Sequence, residues 1–220
     1  MTFTYLFDPL CGWCYAAAPT IQALHDAKLG NIAMAPVGMF YQPRPMNSMA
    51  EHAKKNDLRI QELTQQPFSQ AYFDQVLGNE QGVFSSQALT LAIVYLESQQ
   101  LGLAHRFLQR AQTCRYVDGL DTADANIVAD IAADVANTHG LSVTREEILT
   151  AITEDAALQQ RSEQMVQHAG RLLGQMEHKG VPQLIMTSNG QNYMFSGADL
   201  YQGPEGFMQL LNAIKDATNM

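Results

Sequence analysis

The sequence predicts an α/β fold in which a small strand–helix domain is split by a large all-helical insertion. Three observations carry this. The first 38 residues read strand–helix–strand. Residues 48–179 show helical spacing of apolar side chains and no convincing strand. The chain then returns to two short apolar runs around an Asn-Gly turn and closes on one amphipathic helix. The implied units are residues 1–47 with 180–220, and the insertion 48–179.

Phe3-Thr4-Tyr5-Leu6-Phe7 is the first strand. A helix beginning near Gly12 and running toward Leu29 carries Ala17, Ala18, Ile21 and Leu24 at three- and four-residue spacing. Pro19 lies inside it and should bend it, because it cannot donate to the carbonyl of Tyr15. Asn31 to Gly38 is a second strand, parallel to the first because a helix connects them. Residues 39–47 combine Pro43 and Pro45 with Met39, Phe40, Tyr41 and Met46. These side chains either pack between the two units or form a hydrophobic rim for substrate.

Within the insertion, Ala88, Leu91, Ala92 and Tyr95 form one stripe, and Leu103, Phe107, Ala111 and Cys114 another. Ile127, Ile131 and Val135 make a third, stopped by Gly140. Thr144 to Glu147 has capping-box spacing. Met165, Ala169, Leu172 and Met176 mark a last long helix that should end near Gly180. Beyond it, Gln183–Thr187 and Asn192–Phe195 flank Asn189-Gly190, a hairpin signal. Gly203-Pro204 opens a helix whose apolar face is Phe207, Leu210, Leu211 and Ile214.

Composition narrows the function classes. The 220 residues can bury a core without disulfide or metal staples. A net charge of −9 with no Lys/Arg cluster argues against nucleic acid and anionic membrane as partners. No apolar run reaches the roughly 18–20 residues of a membrane span. Met1-Thr2 leads directly into the first strand without a signal-peptide pattern, so a cytoplasmic location is expected. Three cysteines are too few for a disulfide scaffold.

The chemistry concentrates in Asp8-Pro9-Leu10-Cys11-Gly12-Trp13-Cys14. A thiol at a helix start meets free backbone N–H groups and the positive end of the helix dipole, and both stabilise the thiolate. Cys11 is therefore the expected nucleophile. Cys14, one turn further in, can attack a mixed disulfide on Cys11 and release the partner. A zinc site would need two more ligands, and the remaining Cys114 and six scattered histidines have no paired spacing. No metal is expected. Cys114 lies on an apolar stripe and reads as buried and inert. Asp8 either orders the turn or takes a proton from Cys14.

The order strand, CxxC helix, strand, helical block, Val181-Pro182, hairpin and terminal helix resembles the thioredoxin fold with an inserted helical domain, the plan of DsbA-like thiol–disulfide oxidoreductases. Three places carry the resemblance: Cys11-Gly12-Trp13-Cys14, Pro19 five residues after Cys14, and Val181-Pro182. Asp8-Pro9-Leu10 and Tyr15 are most similar to the cytoplasmic FrnE-like branch. The resemblance implies that Pro182 is cis and faces the cysteines, and that Val181 pairs with a bound peptide in strand fashion. Trp13 would either offer apolar contact to substrate or pack on the helical unit.

Gly-Trp between the cysteines, in place of Pro-His, points away from a strong oxidant and toward a reductase or isomerase. No cofactor is implied beyond the cysteine pair. Protein or peptide thiols and disulfides are the expected partners, with glutathione a candidate co-substrate. One alternative is a glutathione-dependent transferase or isomerase, of the kappa-class or 2-hydroxychromene-2-carboxylate isomerase kind, that uses Cys11 alone. Another is a non-catalytic, redox-responsive binding module.

Overall fold

The computed structural model describes residues 1–218 of the chain. Strand β1 (Thr2–Phe7) pairs in parallel with β2 (Asn31–Pro36) and antiparallel with β5 (Gln183–Ser188). Strand β6 (Gln191–Ser196) lies beyond β5, so the sheet order is β2-β1-β5-β6. β1 is central, and Phe3, Tyr5, Leu6 and Phe7 are all buried. A strand covered on both faces shows a continuous apolar run rather than alternation. In the hairpin, Asn189 and Gly190 take φ values of 50° and 77°. Positive φ at both turn residues is what a two-residue hairpin of the favoured twist requires.

The expected helix from Gly12 to Leu29 is two helices, α1 (Gly12–Ala16) and α2 (Ala18–Asp26), joined at Ala17. Pro19 accounts for the break. It leaves the Tyr15 carbonyl without its helical donor, and Gln66 Nε2 donates to that oxygen at 2.9 Å. The C-terminal helices α9 (Gly197–Leu200) and α10 (Gly203–Thr218) follow the hairpin. α10 packs on α2 and buries Phe207 and Leu211.

The segment between β2 and β5 holds six helices among the described residues: α3 (Ala50–Thr64), α4 (Gln87–Gln99), α5 (Leu103–Tyr116), α6 (Ala125–Thr138), α7 (Arg145–Glu154) and α8 (Ala156–Gln175). A π-helical turn spans Tyr72–Leu77. Gly140 (φ 84°) follows α6, and Thr144 and Glu147 form the capping box of α7.

Three sequence expectations need correction here. Strand β4 (Val83–Phe84) pairs with β3 (Arg44–Pro45) inside a stretch expected to lack strands. Two residues are too few for alternation to be visible. The expected stripe on α4 is instead an unbroken buried run, Leu89 to Val94 with Leu96. α5, α6, α7 and α8 all pack on α4, so it has no solvent face to define a stripe. α8 ends at Gln175 and buries Leu158, Ser162, Ala169 and Leu173; of the expected stripe, Ala169 and Met176 are buried, whereas Met165 and Leu172 are only partly buried. Lys179 Nζ donates to the carbonyls of Gly174 and Met176, satisfying that helix end. No described helix is long and apolar enough to cross a membrane.

Candidate active site

The site forms where β1 runs out. Cys11 stands as the N-cap of α1 in extended backbone, its N–H donating to the Asp8 carbonyl at 3.0 Å. Cys14 N and Tyr15 N donate to the Cys11 carbonyl at 2.9 and 3.1 Å, which starts the helix. Both cysteines are buried, Cys11 at 7 % exposure and Cys14 at 1 %, so Cys11 is the more accessible of the two. Burial pushes the Cys14 thiol well up, and the nearby Cys11 adds to this through a hydrogen bond and charge. Tyr5 OH donates to the Cys14 carbonyl at 3.3 Å.

Sheet register brings Val181 and Pro182 across from the cysteines. Leu6 is the register partner of Gln183, and the strands are antiparallel, so the chain entering β5 passes beside the chain leaving β1. Cys11 Sγ faces the Val181 carbonyl at 4.0 Å, a separation of 170 positions in sequence. The Val181–Pro182 peptide is cis.

Asp8 is fully buried. Its Oδ1 accepts from Leu10 N at 3.0 Å, and its Oδ2 accepts from Phe40 N at 2.9 Å and Ser86 Oγ at 3.1 Å. One carboxyl thus ties the end of β1 to residues 39–41 and to the start of α4. Burial raises its pKa, while Phe40, Leu10 and Ser86 pull it back.

Trp13 is half-buried. Its Nε1 donates to Asn56 Oδ1 on α3 at 3.1 Å, and its ring lies 5.2 Å from that of Tyr201. Beside it a cavity of about 250 Å³ separates the cysteine loop from α3, lined on one side by Leu10, Gly12, Trp13 and Val181 and on the other by Asn56, Asp57 and Tyr72. Residues 39–46 divide between a cavity wall and the core. Met39 and Phe40 line this cavity, whereas Tyr41 and Met46 are buried as packing.

Asp57 and Tyr72 on the cavity wall, and Arg115 and Tyr116 behind them, are groups that the motifs did not point to. Asp57 is 3 % exposed, and its Oδ2 accepts from Tyr72 OH at 2.9 Å. Burial pushes its carboxyl up to about 7, with the Tyr72 hydrogen bond and the Arg115 charge opposing. Arg115 is itself buried, its guanidinium 5.5 Å from the Tyr72 ring and 3.6 Å from Asp121. Tyr116 OH donates to the Leu10 carbonyl at 2.9 Å, pinning the cysteine loop to α5.

The sequence profile of the DSBA-like thioredoxin domain matches residues 3–208. The chain belongs to this family. Among solved structures it is similar to the cytosolic disulfide reductase DsbM from Pseudomonas aeruginosa, at 28 % identity and TM-score 0.82 over 99 % of this chain and 100 % of that one. The same reductase solved with GSH (glutathione) matches at 28 % identity and TM-score 0.79, over 97 % and 98 %. A 2-hydroxychromene-2-carboxylate isomerase shares the fold at 16 % identity and TM-score 0.61, over 99 % and 96 %. No curated protein sequence matches the chain.

Within this DSBA-like chain the third cysteine lies outside the cysteine loop. Cys114 is buried on α5, and burial pushes its thiol up to about 11. Among the described residues no three His, Cys, Asp or Glu side chains converge as a metal-holding group. The one sequence signal that could have exposed Asp57 is its helix. On α3, whose Leu58 and Leu63 are exposed, Ala53, Asn56, Asp57 and Ile60 fall on one face, and that face is the one that docks.

Proposed function

We propose that this DSBA-like protein is a thiol–disulfide oxidoreductase working in the reductase or isomerase direction. Cys11 attacks a substrate disulfide, one substrate sulfur becomes bonded to Cys11 Sγ, and the other leaves as a thiol. Cys14 then attacks Cys11 Sγ, releases the bound sulfur and closes the Cys11–Cys14 disulfide. Asp8 is the acceptor for the Cys14 proton. Its carboxyl lies close enough that its charge raises the Cys14 thiol further. Val181 and Pro182 present the backbone edge on which a peptide docks, and Trp13 forms the apolar wall beside it.

The observation that carries the reading is the position of Cys11 Sγ. It lies 4.0 Å from the carbonyl of Val181, a residue that lines the cavity along with Leu10 and Gly12 on either side of Cys11, and a second thiol stands one turn behind it. A structure of the similar reductase holds GSH, which supports glutathione as the small thiol that regenerates the reduced pair. A cytoplasmic setting, where the pair is kept reduced, suits this direction. The test is turnover of a protein disulfide and of a small disulfide with glutathione as reductant. Wild type should turn over both, Cys11→Ser neither, and Cys14→Ser should stall on protein substrate. A Cys14→Ser variant with full turnover on both would instead favour chemistry by Cys11 alone.

A further inference from the structure

The exchange chemistry leaves one buried carboxyl at the site without a task. Asp57 reaches the cysteine loop from α3, in the insertion. Its Oδ2 is held by Tyr72 OH at 2.9 Å, and its Oδ1 lies against Gly12, where a β-carbon would overlap it. It forms part of the cavity wall together with Gly12, Trp13 and Tyr72. Behind it, Arg115 Nε and Nη2 have no hydrogen-bond partner among the described residues.

A disulfide that reaches Cys11 past Leu10, Gly12 and Val181, which line that cavity, leaves an anion there when Cys11 attacks it. As the Cys11–substrate S–S bond forms, the substrate S–S bond breaks and its electron pair departs on the outer sulfur. The walls there include Trp13, Met39 and Phe40, which solvate a thiolate poorly. The departing sulfur needs a proton.

We propose that Asp57 is a catalytic acid, whose carboxyl protonates the sulfur expelled when Cys11 attacks a disulfide in the cavity beside Gly12. The carboxylate left behind keeps the Tyr72 hydrogen bond and faces the positive charge of Arg115, and solvent at the cavity mouth returns the proton. In the reverse direction the same carboxylate deprotonates an incoming thiol. The assignment rests on the exchange reading above. It also separates two acids by location: Asp8, bound by Leu10, Phe40 and Ser86, serves Cys14 from the β1 side, while Asp57 serves the substrate from the insertion side.

Burial places the Asp57 carboxyl at about 7, so both of its forms are populated near neutral pH. The titratable and charged groups around it are Tyr72 on the π-helical turn and Arg115 and Tyr116 on α5, with His52 of its own helix on the same cavity wall and Arg59 of that helix over the Trp13 ring. Tyr72 and Arg115 favour the anion, so the loss of either should move the titration to higher pH.

The experiment compares leaving groups. Asp57→Asn has the same shape and still accepts the Tyr72 hydrogen. With a dialkyl disulfide such as hydroxyethyl disulfide, whose thiolate is a poor leaving group, kcat/KM should fall about 100-fold. With a bis(nitrobenzoate) disulfide, whose thiolate leaves without a proton, it should fall by less than about 3-fold. For the dialkyl substrate, the ratio of wild-type to Asp57→Asn rates should decline as pH rises through about 7, as the acid form is lost. Tyr72→Phe should move that midpoint up, and His52→Gln should leave it in place. Equal losses on both substrates, or a rate ratio independent of pH, would overturn the assignment. Failure of the exchange reading is distinct: Cys11→Ser would then retain activity whatever Asp57 does.

Discussion

Gly12→Ala is the sharpest probe of how the insertion grips the cysteine loop. A β-carbon there overlaps Asp57 Oδ1 and comes within 3.1 Å of Ile60 Cδ1. Neither neighbour has room to retreat, because Asp57 is buried and tied to Tyr72 and Ile60 is fully buried. Overpacking of this kind costs about 1–3 kcal/mol. Alanine also favours the helical backbone over glycine by up to ~1 kcal/mol, which offsets part of the loss. A net destabilisation of roughly 1–2 kcal/mol follows, or about 2–8 °C in Tm for a chain of this size. The assay is urea or thermal unfolding of a double-mutant cycle. In an Asp57→Ala background the tighter of the two obstructions is gone and only the 3.1 Å contact with Ile60 remains, so Gly12→Ala should cost clearly less than in wild type. Identical effects of Gly12→Ala in the two backgrounds, within ~0.5 kcal/mol, would refute the contact and with it the placement of Asp57 against the cysteine loop.

Further outcomes follow from the same geometry. Asp57 should make stability fall as pH rises: its folded-state carboxyl is raised to about 7, so its contribution is complete below the unfolded value near 4 and is lost through pH 7. Relative to Asp57→Asn, wild-type unfolding free energy should therefore drop by up to ~4 kcal/mol between about pH 4 and pH 7, and a flat difference would contradict the buried acid. Iodoacetamide at pH 8 should modify Cys11 in the reduced native protein, while Cys14 and Cys114, both raised by burial, react only after unfolding. Peptide mapping by mass spectrometry reads this directly, and native labelling at Cys114 would count against its burial. Asn56→Leu removes the acceptor of the Trp13 indole N–H. Since Trp13 is the sole tryptophan, the fluorescence spectrum should shift, and an unchanged spectrum would mean the indole is not held by α3.

The fold was legible wherever its cause is local. Cys11-Gly12-Trp13-Cys14 after an apolar run, Pro19 in the helix, Asn189-Gly190 between strands and the Thr144 capping box each act through their own few residues, and each sits in the structure where its chemistry places it. What escaped is tertiary. β4 exists only because β3 lies beside it, and α4 loses its stripe only because four helices enclose it. The site divides in the same way. The cysteines are visible from spacing, and Val181-Pro182 from a resemblance. Asp57 is one acidic residue on the polar helix α3 and acquires a meaning only when that helix docks on Gly12. The close approach of Asp57 is also why a glycine suits position 12, a constraint that residues 11–14 alone do not reveal.

Intact-mass analysis of Cys14→Ser incubated with oxidised glutathione or a disulfide-bonded peptide tests the two-cysteine exchange most directly. A stable adduct of one substrate thiol on Cys11, absent in Cys11→Ser and in wild type, is the result the mechanism predicts. No adduct on Cys14→Ser, or an adduct that maps to Cys114, would contradict it.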